Sequence, residues 1–488
     1  MSYRKINHKL IARTIGVLMM IIAASTLFPL GVSLATDDGA FAGLLGSSIL
    51  TASLGMLFFF GIGRNASYKI CERDSFWATG LVWLSVPIIG ALPYLFSGEI
   101  DRFTDALFES VSGFSTTGSS IIPHPEKLPP SILLWRSMTQ WFGGLGLILL
   151  IVMLMKRLNT GSSMLYNAEF SGGMQKKLHP HMSTSVRLMW ITYCFFTIVL
   201  MALLIACGNR KIDSICLALS TVSTGGFMPD RGGLNIYNSQ TLSVLGIAMF
   251  LAGLNIALLY KILFLKWKTL QKNEEARIYI ITFLFAATIA TLSLLFCGNG
   301  FSESAGFALL HISSTLSTCG FVYDQPANSS RWVSVITFCL ILAGACTGST
   351  GGGVKLKRLI IIFKYVQNYL IAMIHPAVVT VVTIDNERVQ QNYINKIFAF
   401  VFMYIMLLLG GAFMLTLCDI SIHDSLCIAE ANLSNIGPSM LINNMGAGVD
   451  YTLLPDLGKW TLMGLMLAGR LEIFALLAIF SPQYWKQR

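Results

Sequence analysis

The chain has 488 residues, of which 54% are hydrophobic and only 12% are charged, and its formal net charge is +10. A soluble domain carries about 25% charged residues, so this composition excludes ordinary cytosolic enzymes, disulfide-stabilised secreted domains and disordered chains. Apolar stretches of about 18 residues or more recur along the whole length, which is typical of a protein that crosses a membrane many times. The ten cysteines lie mostly within these stretches and are interpreted as buried small side chains.

The apolar stretches predict an all-α polytopic membrane protein with about ten spans. The first stretch is longer than the apolar core of a signal peptide, roughly 7–15 residues, and is therefore interpreted as a membrane helix. The eighth is too long for one span and is interrupted by glycines. In chain order the predicted spans are 11–35, 41–63, 76–96, 131–155, 186–207, 241–265, 278–297, 332–374, 397–417 and 457–480.

The basic residues are distributed unequally between the loops that connect these spans. With the N-terminus inside, 25 of the 34 lysines and arginines lie in inner segments and six lie in outer segments. Because positive charge is retained on the cytoplasmic side, both termini are predicted to be cytoplasmic.

Four outer segments, after spans 3, 5, 7 and 9, share a short pattern of Ser, then Thr or Asn, then any residue, then Gly. The copies are Ser115-Thr116-Thr117-Gly118, Ser223-Thr224-Gly225-Gly226, Ser317-Thr318-Cys319-Gly320 and Ser434-Asn435-Ile436-Gly437. An aspartate stands ten residues before the Ser in three copies, as Asp105, Asp213 and Asp424, and the third copy has Glu303 one turn earlier than the equivalent position. One copy alone is also compatible with a simple helix C-cap, but four copies in one register favour a common function.

An Asp that caps a helix, followed by about ten helix-compatible residues, predicts a short helix of roughly 15 Å. That length reaches only halfway across a membrane core of about 30 Å, so each outer segment is interpreted as a re-entrant helix that returns as non-helical backbone. Such backbone is tolerated within the membrane only where it is buried in protein or lines a cavity. Four of them predict a pseudo-fourfold ring whose carbonyl and hydroxyl oxygens replace the hydration shell of a cation.

The long stretch 332–374 predicts a gate. It is broken at 344–353, where five glycines, two threonines and a serine disfavour helix. Arg470 lies at a similar depth in the last span, and a buried guanidinium requires partners. We therefore predict that Gly348, Ser349, Thr350, Gly351, Gly352 and Gly353 cross the ion path and that Arg470 holds them by hydrogen bonds to free carbonyls. The alternative is a structural pairing of Arg470 with Glu472 or Glu430.

Basic residues follow the glycine break directly. Lys355, Lys357 and Arg358 are predicted to dock a cytoplasmic partner. The alternative is that these charges only set the orientation of the chain in the membrane.

At these residues the chain resembles the Trk/Ktr/HKT superfamily of potassium transporters and, within it, most closely the bacterial TrkH family. The resemblance covers the whole chain. The segments that carry it are Asp105–Gly118, Ser223–Phe227, Ser317–Phe321, Gly348–Gly353 and Gly469–Glu472.

The resemblance implies two N-terminal membrane helices in 1–70, followed by four membrane-pore-membrane repeats. The repeats are 71–160, 161–272, 273–390 and 391–488, with pore loops at 101–120, 209–228, 301–322 and 420–440. It also implies a homodimer in the bacterial cytoplasmic membrane, K⁺ as the transported ion, and a cytoplasmic nucleotide-binding regulatory subunit similar to TrkA. In this superfamily a Gly at the end of the first pattern accompanies potassium, whereas a Ser accompanies sodium. The fourth copy departs from the family at Asn435, Ile436 and Pro438, which predicts unequal ion ligands.

An intramembrane enzyme and a coupled cation carrier are the two alternative functions. An intramembrane enzyme needs clustered titratable groups, and the seven histidines are scattered, so no enzymatic activity and no nucleic-acid partner are expected. The segment from Gly348 to Lys355 lacks the order of a phosphate-binding loop, so no nucleotide site is expected on this chain. A sodium- or proton-coupled carrier of the same fold stays open, with Glu109, Glu430 and Glu472 as candidate carboxylates.

Overall fold

The structure of the protein is a computed structural model. It describes residues 7–64, 72–146, 182–263, 268–323, 331–375, 378, 380–437 and 450–474. In these ranges the chain is almost entirely helical, with one two-stranded antiparallel hairpin formed by Thr383–Ile384 and Glu387–Arg388. The predicted all-α membrane fold is therefore confirmed.

Two helical segments precede the repeats. The first is His8–Ser25, which continues beyond Thr26 as Leu27–Thr36. The second is Phe41–Met56, which ends in a π-helical turn at Leu57–Ile62. The loop between them contacts the first repeat, because the Asp38 carboxylate accepts a hydrogen bond from the Ser131 N–H at 3.0 Å.

The same order of elements then occurs four times: a leading helix, a short helix, the four-residue pattern (the signature segment) and a trailing helix. The leading helices are Glu72–Gly90 with Leu92–Phe96, Met182–Ala206, Glu274–Phe296 and Gln391–Thr416. The short helices are Phe103–Phe114, Lys211–Val222, Phe301–Leu316 and Ile422–Leu433. The trailing helices are Pro130–Leu145, Ser239–Ala252 with Ile256–Leu263, Arg331–Ala343 with Leu356–Ile374, and Asp456–Arg470.

Short elements complete the described chain. They are the helix Lys268–Lys272 and the 3₁₀ turns Pro125–Lys127, Gly233–Ile236 and Tyr451–Leu453.

The short helices begin three residues earlier than N-caps at the aspartates would predict. Asp105, Asp213 and Asp424 are the third residues of their helices, and Glu303 has the same place in the third helix, which is 16 residues long instead of 12. The N-cap prediction was therefore wrong for the aspartates. All four acids lie in the first turn, where a negative charge interacts favourably with the positive end of the helix dipole.

The trailing helices differ most from one another. The trailing helix of repeat 2 was predicted as one span, 241–265, but it bends by 115° between Ala252 and Ile256. The Asn255 side chain accepts the Ala257 N–H at 2.8 Å, so it caps the new helix direction. The trailing helix of repeat 3 ends at Ala343, and a second helix begins at Leu356, as the glycines of 344–353 predict.

The described residues contain six helices long and apolar enough to span a membrane, or seven when the bent pair is counted as one span. The prediction of ten spans is not confirmed by this count. The predicted spans 131–155 and 457–480 lie partly outside the described residues.

The first and fourth repeats meet through two ion pairs, although these residues are far apart in sequence. Lys459 Nζ lies 2.8 Å from Asp105 Oδ1, and the Lys459 side chain is only 2% exposed. Arg102 and Asp456 form a second pair at 2.8 Å on the surface. These contacts close the row of four repeats into a ring.

Candidate functional site

The four signature segments share one backbone conformation. The Ser that ends each short helix is still in the helical region. The second residue has a φ of 53–58° in every copy; these residues are Thr116, Thr224, Thr318 and Asn435. The fourth residue has a φ of 79–85°; these residues are Gly118, Gly226, Gly320 and Gly437. Left-handed Thr is rare and costs about 1–3 kcal/mol, so three such threonines in equivalent places indicate a functional constraint.

The hydrogen bonds of each segment also repeat. The N–H of the second residue donates to the carbonyl three residues earlier, and the N–H of the third donates to the carbonyl five residues earlier, at 2.8–3.2 Å in all four copies. This is the Schellman arrangement that ends many helices, with Thr or Asn in the place that Gly usually occupies. Because the N–H groups of the second and third residues bond backward to the helix, the segment is held in a non-helical conformation beyond its end.

Consecutive segments lie against one another in the order of the chain. A side chain added at Gly118 would clash with the Gly225 carbonyl oxygen of the next segment. One added at Gly226 would clash with Cys319 O, and one added at Gly437 would clash with Thr117 O of the first segment. The fourth segment therefore contacts the first, and close backbone approaches join the first segment to the second, the second to the third and the fourth to the first.

Side chains from neighbouring repeats support these segments. Gln140, on the trailing helix of repeat 1, donates to Gly225 O at 2.6 Å and accepts the Phe227 N–H at 3.2 Å. Asn435 donates to Thr117 Oγ1 at 2.9 Å and to Met466 O at 2.9 Å. The departure at Asn435 thus keeps the backbone conformation and adds a bond between the fourth and first segments.

The interrupted stretch of repeat 3 lies directly against the ring. The Gly352 N–H donates to Thr318 Oγ1 at 2.8 Å. Side chains added at Gly351 and Gly352 would meet the carbonyl oxygens of Ser317 and Ser434, respectively. The loop therefore packs against the third and fourth segments so closely that only glycine fits.

Arg470 contacts this loop. Its guanidinium donates to Thr350 O at 2.8 Å and to the carbonyls of Gly143 and Gly144 at 2.5 Å each. One side chain thus joins the loop of repeat 3 to the end of the trailing helix of repeat 1. These are the free carbonyl acceptors that the gate prediction requires.

Comparison with known proteins identifies the family. The profile of the TrkH family, described as a cation transport protein, matches residues 48–299 and 300–487. The chain belongs to the TrkH family.

Two relatives are similar over nearly the whole length. The Trk system potassium uptake protein TrkH of Escherichia coli K12 is 28% identical over 491 residues, which is 99% of this chain and 100% of that protein. The TrkH of Halomonas elongata is 29% identical over 494 residues, which is 98% of this chain and 99% of that protein. The crystal structure of the potassium transporter TrkH from Vibrio parahaemolyticus superimposes with a TM-score of 0.88 at 25% identity, covering 98% of this chain and 99% of that one. The predicted family resemblance is therefore confirmed.

The loop of this TrkH-family chain is tied to the second repeat as well. Asn255 Nδ2 donates to Thr347 O at 2.7 Å, and the Cys346 N–H donates to Gly253 O at 3.1 Å. The Glu275 carboxylate accepts the Thr347 N–H at 2.5 Å. The bend between Ala252 and Ile256 thus receives the loop.

The basic residues predicted to dock a partner lie inside the protein. Lys355 is 7% exposed, Lys357 9% and Arg358 5%. Lys355 Nζ lies 3.2 Å from Glu472 Oε1, and Arg358 Nη2 lies 2.5 Å from Glu472 Oε2. Arg358 also lies over the Phe400 ring at 4.0 Å. The expected exposed surface is corrected to a buried one, in which Lys355 and Arg358 share the Glu472 carboxylate, because buried charges are stable only when they are paired.

The three candidate carboxylates have different surroundings. Glu109 is fully buried and pairs with Arg136 at 2.7 Å. Glu472 belongs to the cluster with Lys355 and Arg358. Glu430 is also fully buried, but neither of its carboxylate oxygens has a hydrogen-bond partner in the structure.

Proposed function

We propose that this TrkH-family protein mediates potassium uptake, with rubidium as a substitute ion, across the bacterial cytoplasmic membrane. The ion passes through the ring of signature segments, entering from the side where the short helices begin. The relatives named as potassium uptake proteins, aligned over the full chain, support potassium as the substrate.

The observation that carries the proposal is the equal backbone of the four signature segments. A dehydrated cation needs several oxygens at similar distances, and four segments of one conformation in a closed ring can supply them. The short helices end at the segments, so the negative ends of four helix dipoles lie beside the same place. Gly118 at the end of the first segment is consistent with potassium in this superfamily.

The loop 344–353 and Arg470 serve as the gate in this proposal. The loop lies under two segments and is held on both sides, by Arg470 and by Asn255. Conduction requires these bonds to break, since backbone in the ion path excludes the ion.

Purified protein in potassium-loaded liposomes tests the proposal. We expect uptake of radioactive rubidium driven by the potassium gradient, and stronger inhibition by added potassium than by added sodium. Empty liposomes processed in the same way are the control. No rubidium uptake above that control, with the protein inserted and folded, would contradict the function.

A homodimer regulated by a cytoplasmic, nucleotide-binding subunit similar to TrkA is part of the proposal, supported by the family. Its contact is proposed at exposed basic residues rather than at the buried cluster: Lys272 and Arg277 are exposed at the junction of repeats 2 and 3. Lys272→Glu with Arg277→Glu is expected to reduce co-purification of that subunit, whereas Lys127→Glu on the opposite side is not. Equal recovery with all three proteins would exclude this docking site.

A proton-coupled carrier is the second candidate, and Glu430 is the observation that favours it. A fully buried carboxylate without a donor is more stable when it carries a proton, so Glu430 is the candidate proton carrier among the three acids. Reversal potentials in planar bilayers with a pH gradient distinguish the two functions. If the protein is a proton-coupled carrier, its reversal potential shifts with the pH gradient, and Glu430→Gln abolishes that shift. If it is a potassium channel, the reversal potential does not depend on the pH gradient in either protein.

A further inference from the structure

Equivalent positions behind the four signature segments carry different chemistry. The residues six places before the signature Ser are Glu109, Leu217, His311 and Ile428, and the seventh residues of the trailing helices are Arg136, Leu245, Thr337 and Leu462. All eight are buried. These two positions form an ion pair in repeat 1 and a His–Thr hydrogen bond of 2.7 Å in repeat 3, and both are apolar in repeats 2 and 4.

The ion pair of repeat 1 binds the backbone that leaves the first segment. Arg136 Nε donates to Glu109 Oε1 at 2.7 Å, and the exposures of the two residues are 2% and 0%. The second carboxylate oxygen accepts the Ile121 N–H at 2.9 Å. The Ser120 hydroxyl contacts both Glu109 oxygens at 3.1 and 3.2 Å and accepts a bond from Arg136 Nη2 at 3.1 Å. Ser120 and Ile121 are the second and third residues after Gly118, so the pair contacts the backbone just beyond the first signature segment.

The same arginine also reaches the second segment. Arg136 Nη1 donates to Met228 O at 3.2 Å, and the guanidinium lies 4.1 Å from the centre of the Phe227 ring. Phe227 and Met228 directly follow Gly226. Arg136 therefore holds the residues that follow two consecutive segments in one fixed arrangement.

Stability alone does not account for this pair. A buried ion pair is often no more stabilising than apolar residues of similar volume. Repeats 2 and 4 demonstrate that apolar residues occupy the equivalent positions in this fold, as Leu217 with Leu245 and Ile428 with Leu462. The polar atoms of repeat 1 have a separate role, which is to satisfy and orient the backbone beside the ring.

We propose that the Glu109–Arg136 pair is a positioning element that fixes the spacing between the first and second signature segments and thereby contributes to potassium selectivity. This inference rests on the proposed function, since it assigns a determinant of selectivity within that ring. Neither side chain is a direct ion ligand in the proposal: each acts through Ser120, Ile121, Phe227 or Met228.

The test replaces the pair by the residues of repeat 2, as Glu109→Leu with Arg136→Leu. We expect the double variant to fold with a lower thermal midpoint than the wild type, because the Ile121 N–H and the Met228 carbonyl lose their partners. Its permeability ratio of rubidium to sodium, measured from reversal potentials, should fall by at least about fivefold, the lower end of the effects expected for coupled sites. Asp105→Asn with Lys459→Met removes another ion pair, partly buried and at the far end of the first short helix, and should leave the ratio unchanged.

Two milder variants keep the test decisive if the double variant does not fold. Ser120→Ala removes one contact of the pair, and Arg136→Lys keeps the charge but lacks the planar fork of donors. Both variants should lower the rubidium-to-sodium permeability ratio, and Arg136→Lys should lower it more than Ser120→Ala. A wild-type ratio in a folded double variant, or in both milder variants, would overturn the inference. Absence of rubidium flux in the wild type would instead contradict the proposed function itself.

Discussion

The signature segments and the loop beneath them are built in opposite ways. The segments repeat one backbone four times, with positive φ at the second and fourth residues of every copy. The loop 344–353 belongs to repeat 3 alone, and Arg470, which contacts it, belongs to repeat 4. The ring is thus nearly symmetric, whereas the layer below it is not.

Under the proposed function, the difference follows from what each layer does. Replacing a hydration shell requires oxygens in equivalent positions around the ion, so every repeat has to contribute the same backbone. Blocking a path requires only one obstacle and something that holds it. One repeat is therefore sufficient to supply the proposed gate, and its loop is free to differ from the equivalent segments of the other repeats.

The buried cluster below the loop is expected to give the largest effect. Glu472→Leu removes the carboxylate that Lys355 and Arg358 share, which leaves two buried cations without this counter-charge and costs about 3–5 kcal/mol of folding stability. The midpoint of thermal unfolding in detergent measures this loss. Asp456→Leu removes the partner of Arg102 in an ion pair whose side chains are more than half exposed, and it should cost less than about 1 kcal/mol. Equal midpoints for the two variants would contradict the cluster.

The glycines that end the segments come next. Gly118→Ser places a side chain at a φ of 85° and against the Gly225 carbonyl, so the ring has to shift. We expect the potassium-to-sodium permeability ratio to fall by about 100-fold, the effect of a displacement of roughly 1 Å at a precise site. Gly208→Ser is the matched control, because Gly208 has a φ of 87° but open space around it. The same ratio in both variants would contradict the ring.

A substitution in the proposed gate should have a smaller effect and should increase ion flux. Arg470→Ala removes the bonds to Thr350, Gly143 and Gly144 and frees the loop. We expect rubidium influx without any regulatory subunit to rise about tenfold, equivalent to about 1.4 kcal/mol. Arg102→Ala, on the surface, is the control. Unchanged or lower influx from folded Arg470→Ala would exclude the gate.

The smallest effect concerns the one unequal segment. Asn435→Thr copies the residue of the other three repeats but removes the donated bonds to Thr117 and Met466, at a cost of about 1 kcal/mol. The permeability ratio should change by no more than about fivefold. The reciprocal change, Thr318→Asn, keeps an acceptor for the Gly352 N–H and is the comparison. If Asn435→Thr changed the permeability ratio more than Gly118→Ser does, the side chain at Asn435 would matter more for selectivity than the glycine backbone, which would contradict this account of the ring.

Features that depend on local sequence were predicted well. The glycines of 344–353 remove helix preference wherever they stand, and the break is present there. The four Ser-to-Gly patterns have one backbone because the short helix and its C-cap are formed by neighbouring residues. The predicted helix starts failed by three residues, since an acid in the first turn has the same sequence signal as an N-cap.

Features that depend on distant contacts were missed. Nothing near Lys355 or Arg358 in sequence indicates Glu472, so a basic run was interpreted as a surface. The bend of repeat 2 depends on the loop of repeat 3 packing against Asn255. The left-handed threonines were not predicted either, because Thr ordinarily avoids that conformation and Gly usually occupies this place in the C-cap.

The most direct test of the ring is the position of a bound cation. Crystals of the wild-type protein grown in rubidium or thallium salts would locate the ion by anomalous scattering. We predict the strongest peak at the centre of the four signature segments, with backbone oxygens from all four as ligands, and a weaker or absent peak in Gly118→Ser. A strongest peak away from the segments, for example beside Glu430, or oxygens from only one or two segments around the ion, would contradict the account.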